Sequence, residues 1–243
     1  MNNMRLDKVC AIQIGSRTKA QDHIKKGLVE VNGKVIQKSS FLVTEQDSIV
    51  IKNDGYEFVS RAAYKLLGAM DTFHIDISHQ VVLDIGASTG GFTDVCLRHD
   101  AKKVYALDVG HLQLSPKLET DPRVIKMEGK NARELEVSWF DEPIDFICMD
   151  VSFISCQTIL EHVFTQMIPS HLVVLVKPQF ECGPQALNKH GVLKNEKLAK
   201  QIIAQKEAFL KMYYKNVDVM KSPIQGRSGN QEYVVYAQER RSK

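Results

Sequence analysis

The sequence predicts an α/β protein in which a mostly parallel, seven-stranded sheet is covered by helices, preceded by a small α+β module. From residue 60 onward, short apolar strand segments alternate with helical segments, which is typical of a parallel sheet layered between helices. Residues 4–51 instead combine two short helical segments with strands around the hairpin signal Asn32-Gly33. We therefore expect domains at 1–51 and 60–243, joined by a polar linker at 52–59.

Composition places the chain among globular intracellular proteins. Its first ten residues lack the apolar stretch of a signal peptide, and its apolar runs are too short to cross a bilayer. The five cysteines form no CxxC pair and show no zinc-ligand spacing, so reduced thiols and no metal site are expected. These features predict a cytoplasmic protein without stable membrane association.

The formal net charge of +3 is concentrated at the N-terminus. Residues 1–51 hold eight Lys/Arg and five Asp/Glu, a difference of +3, whereas the remainder holds 24 of each sign. Phosphate contacts dominate the affinity of proteins for nucleic acids, so a basic module suggests a polyanionic partner. An ordinary solvated surface is the alternative interpretation.

A basic stripe is predicted on the second helix of the module. Ser16 is a plausible N-cap and Gly27 a plausible C-terminal stop. Ala20 and Ile24 form an apolar seam beside a stripe of Lys19, His23 and Lys26. The segment SRTKAQDHIKKGLVEVNGKVI resembles the S4-type RNA-binding domain. The resemblance implies RNA as the partner, with candidate contacts at Arg5, Arg17, Lys19, His23, Lys25 and Lys26.

The second domain is predicted to open with a helix that Ser60 caps. The apolar face of this helix is formed by Ala63, Leu66, Leu67, Met70 and Phe73, and Lys65 lies off that face. Strand and helix segments then alternate: VVLDI, a glycine turn and helix, VYALDV, a helix, RVIKM, a helix, DFICMD, a helix, LVVLVKP, a long helix at about 195–214, and two strands. Ligands of such sheets bind at the carboxyl ends of the strands.

The first strand end carries a cofactor signal. Its residues are Asp84, Ile85, Gly86, Ala87, Ser88, Thr89, Gly90, Gly91 and Phe92. Glycines allow a tight turn against a ligand, and Asp108 at the next strand end can accept hydrogen bonds from ribose hydroxyls. The spacing differs from G-x-G-x-x-G, and no P-loop lysine follows. Asp84 suits an ammonium-bearing nucleoside such as S-adenosylmethionine; a purely structural turn is the alternative.

Charged residues also follow later strands. Asp150 ends the fourth strand, Lys177 follows the fifth, and Glu232 begins the last. Charges beside apolar strands are costly to desolvate unless they are paired or used, so a structural ion pair is the competing interpretation. Asn131 follows the third strand and is a candidate adenine contact, although an Asn there is more often a turn or cap residue.

Five segments together resemble a known family: SRAAYKL, LDIGASTGGFTD, MDVSFIS, VKPQFE and SPIQGRSGNQEY. They resemble the FtsJ-like methyltransferases, and the whole chain resembles the TlyA family of hemolysin-labelled rRNA 2'-O-methyltransferases. The resemblance implies a Rossmann-like fold that uses S-adenosylmethionine. It also implies a catalytic tetrad of Lys65, Asp150, Lys177 and Glu232, with the methyl donor at the glycine loop and Asp108. Asn131 and Asp150 are further candidate contacts of the donor.

By this resemblance the expected activity is methylation of a cytidine ribose in ribosomal RNA, with the ribosomal subunit as partner. Lys177 is the hypothesised base, assisted by Lys65, although the sequence leaves open which lysine loses its proton. Arg61-Ala62-Ala63-Tyr64 stands where many relatives carry a glycine pair, so the chain departs from the family pattern just before Lys65.

Three alternatives have weaker support. The fourth strand end lacks the Asn/Asp-Pro-Pro-aromatic motif of amino-directed methyltransferases, and no Pro-Cys nucleophile is present for attack on a pyrimidine ring. A membrane-lytic protein is disfavoured by the lack of a spanning helix and of an aromatic amphipathic tail. A catalytically inactive RNA-binding or ribosome-assembly factor is disfavoured by the complete tetrad.

Overall fold

The computed structural model describes residues 3–14, 17–52, 58–226 and 228–242, without the side chains of Thr18 and Lys19. The chain divides into two compact units, Met1–Glu57 and Phe58–Lys243. Most of the predicted linker, the predicted N-cap Ser16 and the Lys19 side chain lie outside the described residues. The domain limits of 1–51 and 60–243 therefore stay a prediction.

The N-terminal unit has two helices and short strands. Its elements are β1 Met4–Arg5, α1 Leu6–Ile14, α2 Arg17–Lys25, β2 Val29–Val31, β3 Lys34–Val35, β4 Leu42–Val43 and β5 Ile49–Ile51. β2 pairs antiparallel with β3 and β5, and the two-residue strands β1 and β4, which the sequence did not predict, pair with each other. Asn32 and Gly33 have φ of 50° and 75°, as the predicted two-residue turn requires. Ala20 and Ile24 are fully buried, so the apolar seam of α2 is confirmed.

The first helix of the second unit, α3 (Ala63–Phe73), begins later than predicted. Its N-cap is Ala62, without a side-chain cap, so the expected cap at Ser60 was wrong. The Ser60 hydroxyl instead accepts from the Ala62 amide, at 3.2 Å, within a turn that precedes the helix. Ala63, Leu66 and Met70 are buried as the periodicity predicts. Lys65 is also buried, at 7% exposure, because it projects into a cluster of carboxylates.

The remaining elements follow the predicted alternation with two corrections. They are β6 Val81–Ile85, α4 Gly91–Arg98, β7 Lys103–Asp108, α5 Pro116–Glu119, β8 Val124–Glu128, β9 Phe146–Met149, α6 Cys156–Gln166, β10 His171–Val176, α7 Pro178–Glu181, α8 Glu196–Lys211, β11 Tyr214–Lys221 and β12 Tyr233–Arg240. The helix predicted after β8 is only two 3-10 turns, at Ala132–Glu134 and Val137–Trp139. The long helix ends at Lys211 because the buried Tyr214 already starts the alternating strand β11.

The seven-stranded, mostly parallel sheet is confirmed, in the order β11-β12-β10-β9-β6-β7-β8. β12 runs antiparallel to both of its neighbours, and Tyr233 at its start pairs with Val176 at the end of β10. The first residue of β12, rather than its last, therefore lies at the edge where the parallel strands end. This reversal brings Glu232 to the same edge as Asp150 and Lys177.

Alternate strand residues enter two apolar layers. Val82, Phe146 and Val173 pack on one face with α3 and α4, while their neighbours Leu83, Ile147 and Val174 pack on the other with α6 and α8. Strands that are buried on both faces are typical of a sheet sandwiched between helices. The polar groups at the strand ends are thus held by a rigid scaffold.

Candidate active site

Four charged side chains from four elements meet at the carboxyl edge of the sheet. Lys65 on α3 places its Nζ 3.2 Å from Asp150 Oδ2 and 2.6 Å from Glu232 Oε2. Lys177, which follows β10, places its Nζ 2.5 Å from Asp150 Oδ1. The four side chains are between 4% and 13% exposed. The structure therefore brings together all four residues of the predicted tetrad.

The two lysines have different electrostatic surroundings. Burial alone would lower the pKa of Lys65, but the Asp150 and Glu232 carboxylates outweigh it and raise that pKa above its usual value. Burial would raise the pKa of Asp150, yet the Lys65 and Lys177 ammonium groups hold it below its usual value. Lys65 is thus fixed as a cation between two anions, whereas Lys177 shares only one of them.

Lys177 has a second partner that the sequence did not single out. Its Nζ donates to the hydroxyl of Ser152, at 2.9 Å, on the exposed loop that follows β9. Asp150 and Ser152 together occupy two of the positions around the Lys177 nitrogen. These two contacts fix the position of the Lys177 nitrogen at the edge of the cluster.

The loop that bears Asp150 and Ser152 is also anchored at its far end. Glu181 of α7 accepts from the Cys156 amide at 2.8 Å and from the Ser155 hydroxyl at 2.7 Å. Lys206 of α8 pairs with Glu181 at 2.7 Å, with the carboxylate almost completely buried. This ion pair fixes the start of α6 to α7 and α8, which limits the movement of the loop between β9 and α6.

The glycine turn after β6 packs directly against the end of β9. Gly86 has a φ of 85°, and a side-chain carbon there would lie 2.6 Å from the backbone oxygen of Asp150. Gly90 has a φ of 89° at the N-cap of α4. Both positions require glycine because an L side chain is strained at such φ values. The turn and the charged cluster therefore share one edge of the sheet.

Asp84 is a fully buried carboxylate beneath this turn. Its Oδ2 accepts from the amide and hydroxyl of Thr93, at 3.0 and 2.7 Å, while its buried Oδ1 has no partner. Burial raises the pKa of Asp84 to about 7, against the opposing hydrogen bonds from Thr93. A buried acceptor without a partner carries a desolvation cost that an ammonium ligand would offset, directly or through a water molecule.

Asp108 is held at the end of β7 by backbone amides. Its Oδ2 accepts from Ser88 at 2.8 Å, and its Oδ1 accepts from Gly110 at 2.7 Å. Each carboxylate oxygen has a further lone pair available for a hydroxyl donor. Gln113, which the sequence did not single out, lies over the same turn and accepts from the Ser88 hydroxyl at 3.2 Å.

Other predicted donor contacts have mainly local partners. Asn131 is the N-cap of the first 3-10 turn, since its side chain accepts from the Arg133 amide. Phe92 is 2% exposed and packs in the apolar layer, and Ala87 is likewise buried. Ser88 is exposed on the turn, between Asp108 and Gln113. A role for each of these residues in donor binding stays a prediction.

The RNA-binding candidates differ in exposure. Arg5 and Arg17 both donate to the fully buried Asp7, at 3.0 and 3.2 Å, and their side chains are 41% and 51% exposed. Lys25 is exposed, and Lys26 pairs with Asp22 at 3.3 Å. His23 is buried at 5% exposure, so it does not lie on the exposed stripe that the periodicity predicts.

Two features of the described part of the chain bear on other functions. Among those residues, no three His, Cys, Asp or Glu side chains are grouped as a metal site requires. Within the same residues, each helix is too short or too polar to span a bilayer.

The family models match both units. Residues 58–239 match the FtsJ-like methyltransferase model, and residues 4–49 match the S4 domain model. Hemolysin A of Brachyspira hyodysenteriae is 41% identical, with 96% of this chain and 99% of that protein covered. The 16S/23S rRNA (cytidine-2'-O)-methyltransferase TlyA of Mycobacterium tuberculosis is 37% identical, with 91% and 84% covered.

A solved structure supports the same relationship. A candidate hemolysin from Streptococcus thermophilus superposes with a TM-score of 0.74 at 35% identity, with 98% of this chain and 90% of that chain covered. The matches therefore extend over both units and agree with the resemblance drawn from the motifs. The chain belongs to the FtsJ-like methyltransferase family, carries an S4 domain at its N-terminus, and is similar over most of its length to TlyA and Hemolysin A.

Proposed function

We propose that this protein transfers a methyl group from S-adenosylmethionine to the 2'-hydroxyl of a cytidine ribose in ribosomal RNA. The observation that carries the proposal is the buried cluster of Lys65, Asp150, Lys177 and Glu232 beside the glycine turn. The identity of 37% to an rRNA (cytidine-2'-O)-methyltransferase supports the choice of acceptor. A ribosomal acceptor also implies that the protein acts in the cytoplasm.

The donor site comprises the glycine turn with Asp84 and Asp108. Asp108, at the end of β7, would accept hydrogen bonds from the ribose hydroxyls of the donor. Asp84 offers its unpartnered oxygen to the donor's ammonium group. When bound, S-adenosylmethionine would supply a methyl group on a sulfonium sulfur, and the neutral thioether left after transfer is a good leaving group. The protein's task is to align the acceptor oxygen and to remove its proton.

Lys177 is the base in this proposal. A lysine must be uncharged to accept a proton, and Lys65 is held as a cation by two carboxylates that raise its pKa. Lys177 contacts one shared carboxylate and the neutral hydroxyl of Ser152. The 2'-hydroxyl proton moves to Lys177 Nζ, while the Lys65 ammonium group stabilises the negative charge that develops on the ribose oxygen.

The N-terminal unit binds the ribosomal RNA in this proposal. It belongs to the S4 domains, and residues 1–51 carry a net charge of +3. Folded RNA is recognised largely through its shape and its phosphates. The exposed arginines around Asp7 and the exposed Lys25 supply cations for such contacts.

Substitution of Lys177 by arginine tests the proposal, because arginine keeps the charge but does not act as a base. We expect kcat for methyl transfer to rRNA to fall by about 100-fold or more, as loss of a general base predicts. Binding of the donor and of the RNA should stay within about twofold, because arginine keeps the positive charge. Calorimetry measures the first affinity and fluorescence anisotropy the second. The control is Lys102→Arg, an exposed lysine at the opposite edge of the sheet. Turnover of Lys177→Arg at the wild-type rate would refute the assignment.

A further inference from the structure

A compact hairpin lies between α7 and α8, on residues 187–194. Leu187 and Leu193 form an antiparallel bridge at its base. Within the turn, the side-chain oxygen of Asn188 accepts from the amides of His190 and Val192, at 2.9 and 3.0 Å. Gly191 completes the turn with a φ of 72°. The local hydrogen bonds give this hairpin, which we call the 187–194 hairpin, a defined shape.

Asn230 ties this hairpin to the loop that carries Glu232. The buried Asn230 accepts from the Leu193 amide and donates to the Gly191 carbonyl, both at 3.0 Å. Its own carbonyl accepts from Gly226, which packs so tightly on the Glu232 carboxyl that a side-chain carbon there would lie 2.5 Å from Oε1. The hairpin is thus fixed relative to a member of the charged cluster.

The exposed surface of the hairpin is basic. Lys189 and His190 are exposed at its tip, and the exposed Lys194 follows the residue that bonds to Asn230. Residues 187–194 contain two lysines and no acidic residue, and the first turns of α8 add Lys197 and Lys200 beside Glu196, whereas residues 52–243 together carry 24 charges of each sign. An excess of cations in an otherwise balanced unit, at the carboxyl edge of the sheet, points to an anionic ligand there.

We propose that the 187–194 hairpin binds the phosphate backbone of the RNA strand on either side of the target nucleotide. This inference rests on the proposed function, and it adds an RNA site in the catalytic unit to the one in the S4 unit. Phosphate contacts fix the register of a nucleic acid on a protein without reading its sequence. Because Asn230 links the hairpin to the loop of Glu232, phosphates bound at Lys189 and Lys194 set the position of the target ribose beside the four charges.

The test is the double substitution Lys189→Gln/Lys194→Gln in the full-length protein. We expect the KM for rRNA to rise about tenfold, while kcat at saturating RNA and the Kd for the donor stay within about twofold, because phosphate contacts contribute mainly to binding. The slope of log Kd for rRNA against log salt should fall by about 1.4, at about 0.7 for each lost contact. Lys189→Glu/Lys194→Glu should weaken binding further.

The matched control is Lys102→Gln/Lys215→Gln, which removes two exposed lysines at the opposite edge of the sheet. Its KM and salt slope should equal those of the wild type. The hairpin site is refuted when the hairpin variant retains wild-type affinity and salt slope. Failure of the proposed function would appear differently, as a wild-type protein that binds rRNA with the full salt slope but does not methylate it.

Discussion

At the residue scale, Asp84 combines a proposed role in donor binding with a cost in stability. Its carboxyl is fully buried, one oxygen lacks a partner, and burial raises its pKa to about 7. In the unfolded chain this group ionises near 3.8. The folded protein therefore retains the proton at higher pH than the unfolded chain, and stability falls as the pH rises from about 4 to about 7.

The Asp84→Asn variant should lose this pH dependence, because its neutral amide does not ionise. The free energy of unfolding of the wild type should fall by about 4 kcal/mol relative to the variant between pH 4 and pH 8, at about 1.4 kcal/mol for each pKa unit. Urea denaturation at the two pH values measures it. The variant should also bind the donor about tenfold more weakly, since it lacks the charge that pairs with the ammonium group.

The control is Asp71→Asn, an exposed carboxylate on α3, which should follow the wild type in both assays. Parallel stability curves for Asp84→Asn and the wild type from pH 4 to pH 8 would contradict this account of the buried carboxyl.

At the residue scale, the sequence predicted the charged groups better than the neutral ones. Asp150 and Lys177 were found because a charge at the end of an apolar strand is costly unless it is used. Ser152 and Gln113 were missed because a hydroxyl or amide on a loop carries no comparable signal. Asn131 was predicted to contact the adenine because it also follows a strand. In the structure its side chain caps a 3-10 turn.

At the scale of elements, strand β10 is anchored at its start by a buried histidine. The ring of His171 contacts Gln80 at 2.7 Å and the hydroxyl of Tyr236 at 3.2 Å. Burial lowers the pKa of His171 to about 4, against an unfolded value of 6.5. Because the unfolded chain takes up this proton first, stability is full above about pH 6.5 and is lost as the pH falls toward 4.

The His171→Gln variant keeps hydrogen-bonding groups but does not titrate. We expect the wild type to lose about 3 kcal/mol of unfolding free energy relative to this variant between pH 7 and pH 4, at about 1.4 kcal/mol per pKa unit. The trend opposes that of Asp84, so each is measured as the difference between wild type and variant. The control is His190→Gln at an exposed histidine, whose unfolding free energy should follow that of the wild type at both pH values. If the gap in unfolding free energy between the wild type and His171→Gln is the same at pH 7 and pH 4, the assignment is contradicted.

Element types were predicted where the apolar pattern is clear. The strands β6, β9 and β10 are continuous runs of buried residues, and the helices α6 and α8 are long enough for an apolar face to recur. The two-residue strands β1 and β4 are too short to show alternation. The segment after β8 forms 3-10 turns, since only Ala132 and Leu135 of that stretch are buried against the sheet.

At the scale of the whole molecule, the sequence predicted two kinds of unit but not how the sheet is ordered. Alternation of strands and helices does not reveal that β12 inserts between β10 and β11 in the opposite direction. That insertion brings Glu232 within 2.6 Å of Lys65, although 167 residues separate them. The assembly of this charged cluster depends on the strand order, which the sequence motifs indicated only through their family resemblance.

The identity of the methylated product tests the central claim most directly. Purified protein is incubated with ribosomal subunits and a donor bearing an isotopically labelled methyl group, and the RNA is digested to nucleosides for mass spectrometry. We predict that the label appears in 2'-O-methylcytidine, and that Lys177→Arg gives none above background. Label on the cytosine ring, or an equal yield of 2'-O-methylcytidine from the Lys177→Arg variant, would contradict the account.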